Sequence, residues 1–184
     1  NGQTAALELL VEAGCDVNQA DNDGATPAYL AAYHGHEDAL DILVMAGCNV
    51  NQADEFGRTP AYVAADNGRT AALSILVKAG CDVNQAKMNG VTPAYVATQE
   101  GQTATLDILV KAGCNVNQAR KNGATPAYIA AMNGQTAALE LLVEAGCDVN
   151  QADNDGATPA YLAAYHGHED ALDILVMAGC NVNQ

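Results

Sequence analysis

The side chains that could do chemistry here are first of all the histidines and cysteines. The histidines form two H-x-H pairs, His34 with His36 and His166 with His168. Two ligands without a nearby cysteine or third histidine fall short of the three or four protein ligands of a zinc site. The cysteines recur singly at one long, constant interval, a spacing that matches no zinc-binding pattern. We therefore expect no metal in this protein.

The cysteine series also bears on disulfides and on location. Its members are Cys15, Cys48, Cys81, Cys114, Cys147 and Cys180. If each lies on an equivalent position of a helical repeat, neighbours are about 8–10 Å apart, whereas a disulfide needs Cα atoms closer than about 7 Å. We predict unpaired thiols that pack as small buried apolar residues; an intermolecular disulfide stays open. Free thiols and the lack of a signal-peptide pattern favour a cytoplasmic protein.

Catalytic constellations are not visible in the rest of the chain. Ser74 is its single serine, and the glycines are spread singly instead of forming a phosphate-binding loop. The carboxylates recur on surface positions without a converging pair. We expect no enzymatic activity, no cofactor and no small-molecule substrate.

Charge narrows the classes of partner. The chain holds 22 acidic and 7 basic residues, for a formal net charge of −15. Nucleic acids and anionic membranes attract positive surfaces, so both are disfavoured as partners. No apolar stretch approaches the roughly 18 residues of a membrane span.

The elements that would position these residues repeat with the same interval as the cysteines. All five prolines follow it, at Pro27, Pro60, Pro93, Pro126 and Pro159. In the unit 21–53, Thr26 is a helix N-cap and Pro27 a first helical residue. This spacing predicts a short helix from 27 to about 33 and a second from about 37 to 46, ended by Gly35 and Gly47. The polar segment that follows predicts a turn.

The motif G-x-T-P-x-x-x-A-A-x-x-G-H, followed by L-x-x-L-x-x-x-G-x-x-V-N, resembles the ankyrin repeat over the whole chain. The resemblance implies an all-α solenoid, with a helix-turn-helix and a hairpin loop in each repeat of about 33 residues. Thr26–Tyr29 reads Thr-Pro-Ala-Tyr where the family has Thr-Pro-Leu-His. The family's histidine often bonds across repeats, and we expect the tyrosine hydroxyl to do the same.

A longer period is superimposed on the repeat. Residues 1–52 recur unchanged as 133–184, at an offset of four repeats. The four-repeat block was either copied recently or joined deliberately, which leaves a natural and an engineered array both open. We expect 1–184 to be one array, uncapped at both ends and part of a longer one; a truncated piece is the alternative.

Comparison of the repeats with one another locates their variable positions. The resemblance implies that loop tips and the concave face bind a protein partner. Exposed drift without a partner would give the same variation. Phe56 and Met88 are the expected apolar anchors. The predicted contact residues are Asp54, Glu55, Phe56, Arg58, Lys87, Met88, Arg120 and Lys121 in the loops, and Tyr33, Asp66, Gln99 and Met132 at the ends of first helices.

Charge distribution suggests a second function. Residues 53–132 carry a net charge of +1, whereas 1–52 and 133–184 carry −8 each and contain neither lysine nor arginine. Neighbouring arrays could pack with these bands out of step. We therefore keep two hypotheses: a non-catalytic protein-binding scaffold, and a structural subunit that self-assembles into a filament. Simple solvation of the surface charge is the competing interpretation.

Overall fold

The fold in the computed structural model, which describes residues 2–181, is an all-α array. The predicted fold class is confirmed. The described helices are α1 (Gly2–Glu12), α2 (Pro27–His34), α3 (Glu37–Met45), α4 (Pro60–Asp66), α5 (Thr70–Lys78), α6 (Pro93–Gln99), α7 (Thr103–Lys111), α8 (Pro126–Met132), α9 (Thr136–Glu144), α10 (Pro159–His166) and α11 (Glu169–Met177).

The helices form two layers. The first helices of the repeats, α2, α4, α6, α8 and α10, pack side by side in one row, and the second helices, including α1, form the other row. Alanines such as Ala64 and Ala65 are fully buried between first helices, where their small size permits close approach. The second helices α3, α5, α7 and α9 each bury two leucines in the core, as α5 does with Leu73 and Leu76.

The helix boundaries follow local chemistry. The Thr59 hydroxyl accepts a hydrogen bond from the Tyr62 N–H at 3.1 Å, and Pro60 occupies the first helical position. Gly35 and Gly47 have φ of 74° and 79°, the left-handed conformation that ends α2 and follows α3. The second helix ends at Met45, one residue before the predicted end.

The connecting loops are tight hairpins that stack on one another. In the loop from Asp54 to Arg58, the Asp54 N–H donates to the Arg58 carbonyl at 3.0 Å. The Met88 N–H of the next loop donates to the Phe56 carbonyl at 3.1 Å. A Cβ on Gly57 would lie 3.1 Å from the Met88 nitrogen. Both the close approach of the two loops and the positive φ of residue 57 therefore require glycine.

A series of asparagine side chains, which we call the asparagine ladder, joins each repeat to the next and was not predicted from the sequence. The Asn51 side-chain oxygen accepts from the backbone N–H of Asp82 in the next repeat at 2.7 Å. The same bond recurs from Asn49 to Asn18, Asn115 to Asn84, Asp148 to Asn117, and Asn181 to Asn150. This bond gives a structural reason for the constancy of these asparagines.

The cysteines are free thiols, but they are less buried than predicted. Cys15 is exposed and the other five are half-buried against the core. Burial raises the pKa of Cys81, Cys114 and Cys147 to about 11, which leaves these thiols protonated at neutral pH.

No helix in the described part of the chain combines the length and apolar character that a membrane crossing requires.

Candidate partner-binding surface

Two loop tips of the middle repeats, by which we mean residues 53–132, carry exposed apolar side chains. Phe56 is 51% exposed and Met88 is 68% exposed. The two side chains line one cleft together with Arg58, Lys87 and Asn89. The structure therefore brings together four of the predicted contact residues: Phe56, Arg58, Lys87 and Met88. We call this site the tip cleft.

Asp54 corrects the expectation of a fully exposed tip, because this residue is only 7% exposed. One carboxylate oxygen accepts from the N–H groups of Phe56 and Arg58 at 3.0 and 2.8 Å. The other forms an ion pair with the Arg58 Nε at 2.6 Å. Arg58 also lies 5.1 Å from the centre of the Phe56 ring. Asp54 shapes the loop, and Glu55, Phe56 and Arg58 are what the loop presents to solvent.

The predicted tyrosine bridge between repeats is confirmed at Tyr128. Its hydroxyl donates to the Asp153 carboxylate of the next loop at 2.8 Å. Burial first, and this bond second, raise the pKa of Tyr128 to about 12. Burial would raise the pKa of Asp153, but the hydrogen bonds from Tyr128 and from backbone N–H groups outweigh it and lower that pKa.

In two of the repeats the position equivalent to Asp153 is basic, and these side chains contact the tyrosines differently. The Lys87 ammonium lies 5.2 Å from the Tyr62 ring centre, and the Arg120 guanidinium lies 5.6 Å from that of Tyr95. Both distances suit a cation–π contact. Lys87 and Arg120 are half-buried and contact the preceding repeat, in addition to being predicted partner contacts.

A second change compensates for the basic residue in these two loops. Asp54 closes its own loop, but lysine and arginine lack the acceptor for that role. In the loop of Lys87, the Asn89 side chain accepts from the Val91 N–H at 3.2 Å, and Asn122 serves the loop of Arg120 in the same way. The variation at these positions therefore has a partly structural origin.

The predicted residues at the ends of first helices differ in their exposure. Tyr33 and Gln99 are exposed, whereas Asp66 and Met132 are half-buried. Burial, with a contribution from the charge of Glu100, raises the pKa of Asp66. In the loops, Glu55 and Lys121 are exposed.

A groove between α6 and α8 brings Gln99, Arg120 and Met132 together with residues outside the predicted contact set. Its walls include Tyr95, Tyr128 and Ile129. We call this site the Arg120 groove. The tip cleft and the Arg120 groove do not share a lining residue.

Sequence reasoning missed a group that holds the helix ends. The Arg69 Nε donates to the Tyr33 carbonyl at 3.3 Å, Gln135 reaches the Gln99 carbonyl at 3.4 Å, and the His168 Nε2 lies 3.1 Å from the Met132 carbonyl. The signal was present, since a long side chain with a donor occupies each equivalent position: His36, Arg69, Gln102, Gln135 and His168.

The histidine rings stack on each other within each H-x-H pair. The rings of His34 and His36 stack with centres 5.5 Å apart. Within residues 2–181, no group of three or more histidine, cysteine or acidic side chains is placed to hold a metal ion.

Comparison with known proteins supports the repeat assignment. The family model for ankyrin repeats, described as three copies, matches residues 1–54, 46–120 and 94–184. Comparison with curated protein sequences gives no significant match.

Proposed function

The chain belongs to the ankyrin-repeat family, and on this premise we propose that it is a non-catalytic scaffold that binds a protein partner through the loop tips and first-helix ends of its middle repeats. Ankyrin repeats generally mediate protein–protein interaction, and the family is typically non-catalytic. The proposed contact surface comprises the tip cleft and the Arg120 groove, together with Asp66, Glu55 and Lys121 and, from the preceding repeat, Tyr33.

The tip cleft carries this proposal. An aromatic and a thioether side chain are exposed on adjacent loops and border one concave site. Apolar anchors of this kind, flanked by polar groups, contribute most of the affinity at protein interfaces. The loops are held by backbone hydrogen bonds to one another, so the cleft is preorganised and little ordering entropy opposes binding.

A photo-crosslinking residue at position 88 tests the proposal in extract from cells that produce the protein. The matched control places the same residue at position 45, since Met45 is 88% exposed but lies on a second helix. We expect a discrete crosslinked protein from position 88 and none in common with position 45. Equal crosslinking from both positions, or crosslinking from position 45 alone, would contradict the proposal.

A second candidate, self-assembly into a filament, is favoured by the segregation of charge. Four of the seven basic residues, Arg58, Lys87, Arg120 and Lys121, lie in stacked loops of the middle repeats, flanked by segments of net charge −8. Bands of opposite charge on neighbouring copies would attract each other when the copies are out of step.

We further propose that 1–184 is one part of a longer array whose unit is the four-repeat block.

Light scattering and electron microscopy of full-length material at low and high salt test this second candidate. Fibres that dissociate at high salt, with a periodicity of four repeats, would support it, because salt screens exposed charge pairs. A monomer at both salt concentrations would exclude it.

A further inference from the structure

Arg120 differs from Arg58, the other arginine in these loops, in its partners. Arg58 is paired with Asp54 at 2.6 Å, whereas Arg120 forms no ion pair with a carboxylate of the described chain. Its Nε donates to the Asn122 side-chain oxygen at 2.7 Å, and its Nη1 lies 3.4 Å from the Tyr95 hydroxyl. A guanidinium has five N–H donors, so most of its capacity for an anionic acceptor remains available.

The surroundings of Arg120 combine polar and apolar surface. Gln99 and Asn133 border the Arg120 groove, while Ile129 and Met132 supply apolar side chains from α8. A ligand that fills such a site carries an acceptor group and an aliphatic group next to each other. Protein segments with neighbouring acidic and aliphatic residues have this chemistry.

The charges around the Arg120 groove favour a ligand with one acidic group over a ligand with many. Asp153 lies beyond Tyr128, and its carboxylate is already occupied by the Tyr128 hydroxyl and by two backbone N–H groups of its own loop. Lys121, next to Arg120, is exposed. The flanking segments each carry −8, and their repulsion disfavours a long acidic tract.

From these observations we propose that the Arg120 groove binds an aspartate or glutamate side chain of a partner protein, with an adjacent aliphatic residue against Ile129 and Met132. The carboxylate pairs with the Arg120 guanidinium, a geometry in which two parallel N–H···O bonds are common. This inference rests on the proposed protein-binding function and assigns the partner's chemistry at one of its two concave sites.

Random short peptides displayed on phage and selected on the full chain provide the test. We expect the enriched peptides to share an acidic residue beside an aliphatic one. An enriched peptide is then synthesised with its acid intact and with the acid replaced by its amide, and the Kd of each is measured by fluorescence anisotropy. We expect Arg120→Gln and the amide substitution each to weaken binding about tenfold, and the double change to add little more.

Two variants separate binding from folding and from net charge. Arg120→Lys keeps a cation near Tyr95 and should retain part of the affinity, because lysine does not offer the planar pair of donors. Lys78→Gln removes the same charge from an exposed position at the end of α5 and should leave the Kd unchanged. Circular dichroism melting of each variant shows whether the array remains folded.

The alternative results are distinguishable. Enriched peptides that bind independently of Arg120 but are lost on Met88→Ala would overturn this inference and leave the proposed function standing. Failure to enrich any peptide would overturn it as well, and with no crosslink from position 88 the proposed function would fall too. Salt-sensitive dimerisation abolished by Arg120→Gln would identify a second copy as the occupant, against the proposed foreign segment.

Discussion

Residues 1–52 and 133–184 have the same sequence but different surroundings. Leu10 is 54% exposed, whereas its copy Leu142 is fully buried. The difference reverses at the next element, where Tyr29 is buried and its copy Tyr161 is exposed. The reason is position: among residues 2–181, α9 packs between α7 and α11, whereas α3 is the one second helix that packs against α1. In this solenoid, a residue's burial depends on the adjacent repeat as much as on its own sequence.

The same comparison clarifies the middle repeats. Contacts within the loop give a structural reason for Asp54, and contacts with the preceding repeat give one for Lys87 and Arg120. Neighbouring repeats leave Phe56 and Met88 exposed where the identical flanking copies have only aspartate and asparagine. We therefore look for function at these two positions.

The largest expected effect separates Leu142→Ala from Leu10→Ala. Loss of a fully buried leucine side chain costs about 2–5 kcal/mol of unfolding free energy. The same substitution at Leu10 should cost less than about 1 kcal/mol, since much of its side chain already contacts water. Urea unfolding followed by circular dichroism measures both. Equal losses would show that the two copies have the same environment, which would contradict the structure.

A smaller difference is expected between Asp153→Ala and Asp21→Ala. Both carboxylates accept two backbone N–H groups in their own loop, but Asp153 also accepts the Tyr128 hydroxyl. The extra bond should make Asp153→Ala more destabilising by roughly 1–2 kcal/mol at pH 7. Tyr128→Phe in the Asp153→Ala background is the control, and it should add little further loss.

The Asp153 effect should also depend on pH. The pKa of Asp153 is lowered in the folded state, so its stabilisation is present above the ordinary aspartate pKa of about 3.9. It is lost as the pH falls through the lowered folded value. Unfolding curves measured from pH 7 down to the acid range should therefore show the wild-type advantage over Asp153→Ala shrink below about pH 4. An advantage that persisted unchanged in strong acid would argue against the carboxylate bond.

The smallest expected effect concerns reactivity and leaves stability unaltered. Cys15 is exposed, whereas burial raises the pKa of its copy Cys147 to about 11. At pH 8, a thiol reagent should modify Cys15 at least about tenfold faster, because the thiolate is the reactive form. Trypsin separates the two copies, since neither 1–52 nor 133–184 contains lysine or arginine. Fragment ions in the mass spectrometer then distinguish Cys15 and Cys147 from the second cysteine of each peptide. Similar rates would mean that Cys147 is not shielded as described.

The fold could be predicted from sequence because its signals are local and repeated. Each Thr-Pro begins a helix, and glycines such as Gly35 and Gly47 end them, within one short segment. The tyrosine bridge could also be anticipated, because Tyr128 stands where the family has a histidine that bonds across repeats.

The binding surface was harder to predict, since it depends on contacts between repeats. The sequence predicts an exposed tip at Asp54, but its carboxylate turns inward onto the Arg58 backbone and side chain. The asparagine ladder from Asn51 to Asp82 joins residues in different repeats, and no local pattern reveals it. The sequence does contain one usable signal: where the loop begins with Lys87 or Arg120, an asparagine follows two residues later.

The central claim is that the partner binds the exposed loop tips of the middle repeats and not the residues that the repeats have in common. It is tested most directly by giving the middle tips the residues of the flanking copies, with Phe56→Asp and Met88→Asn combined in the full chain. The affinity for the protein crosslinked from position 88 and the melting temperature are then compared with wild type. We predict at least about a tenfold loss of affinity with an essentially unchanged melting temperature. Unchanged affinity in the folded variant would contradict the claim.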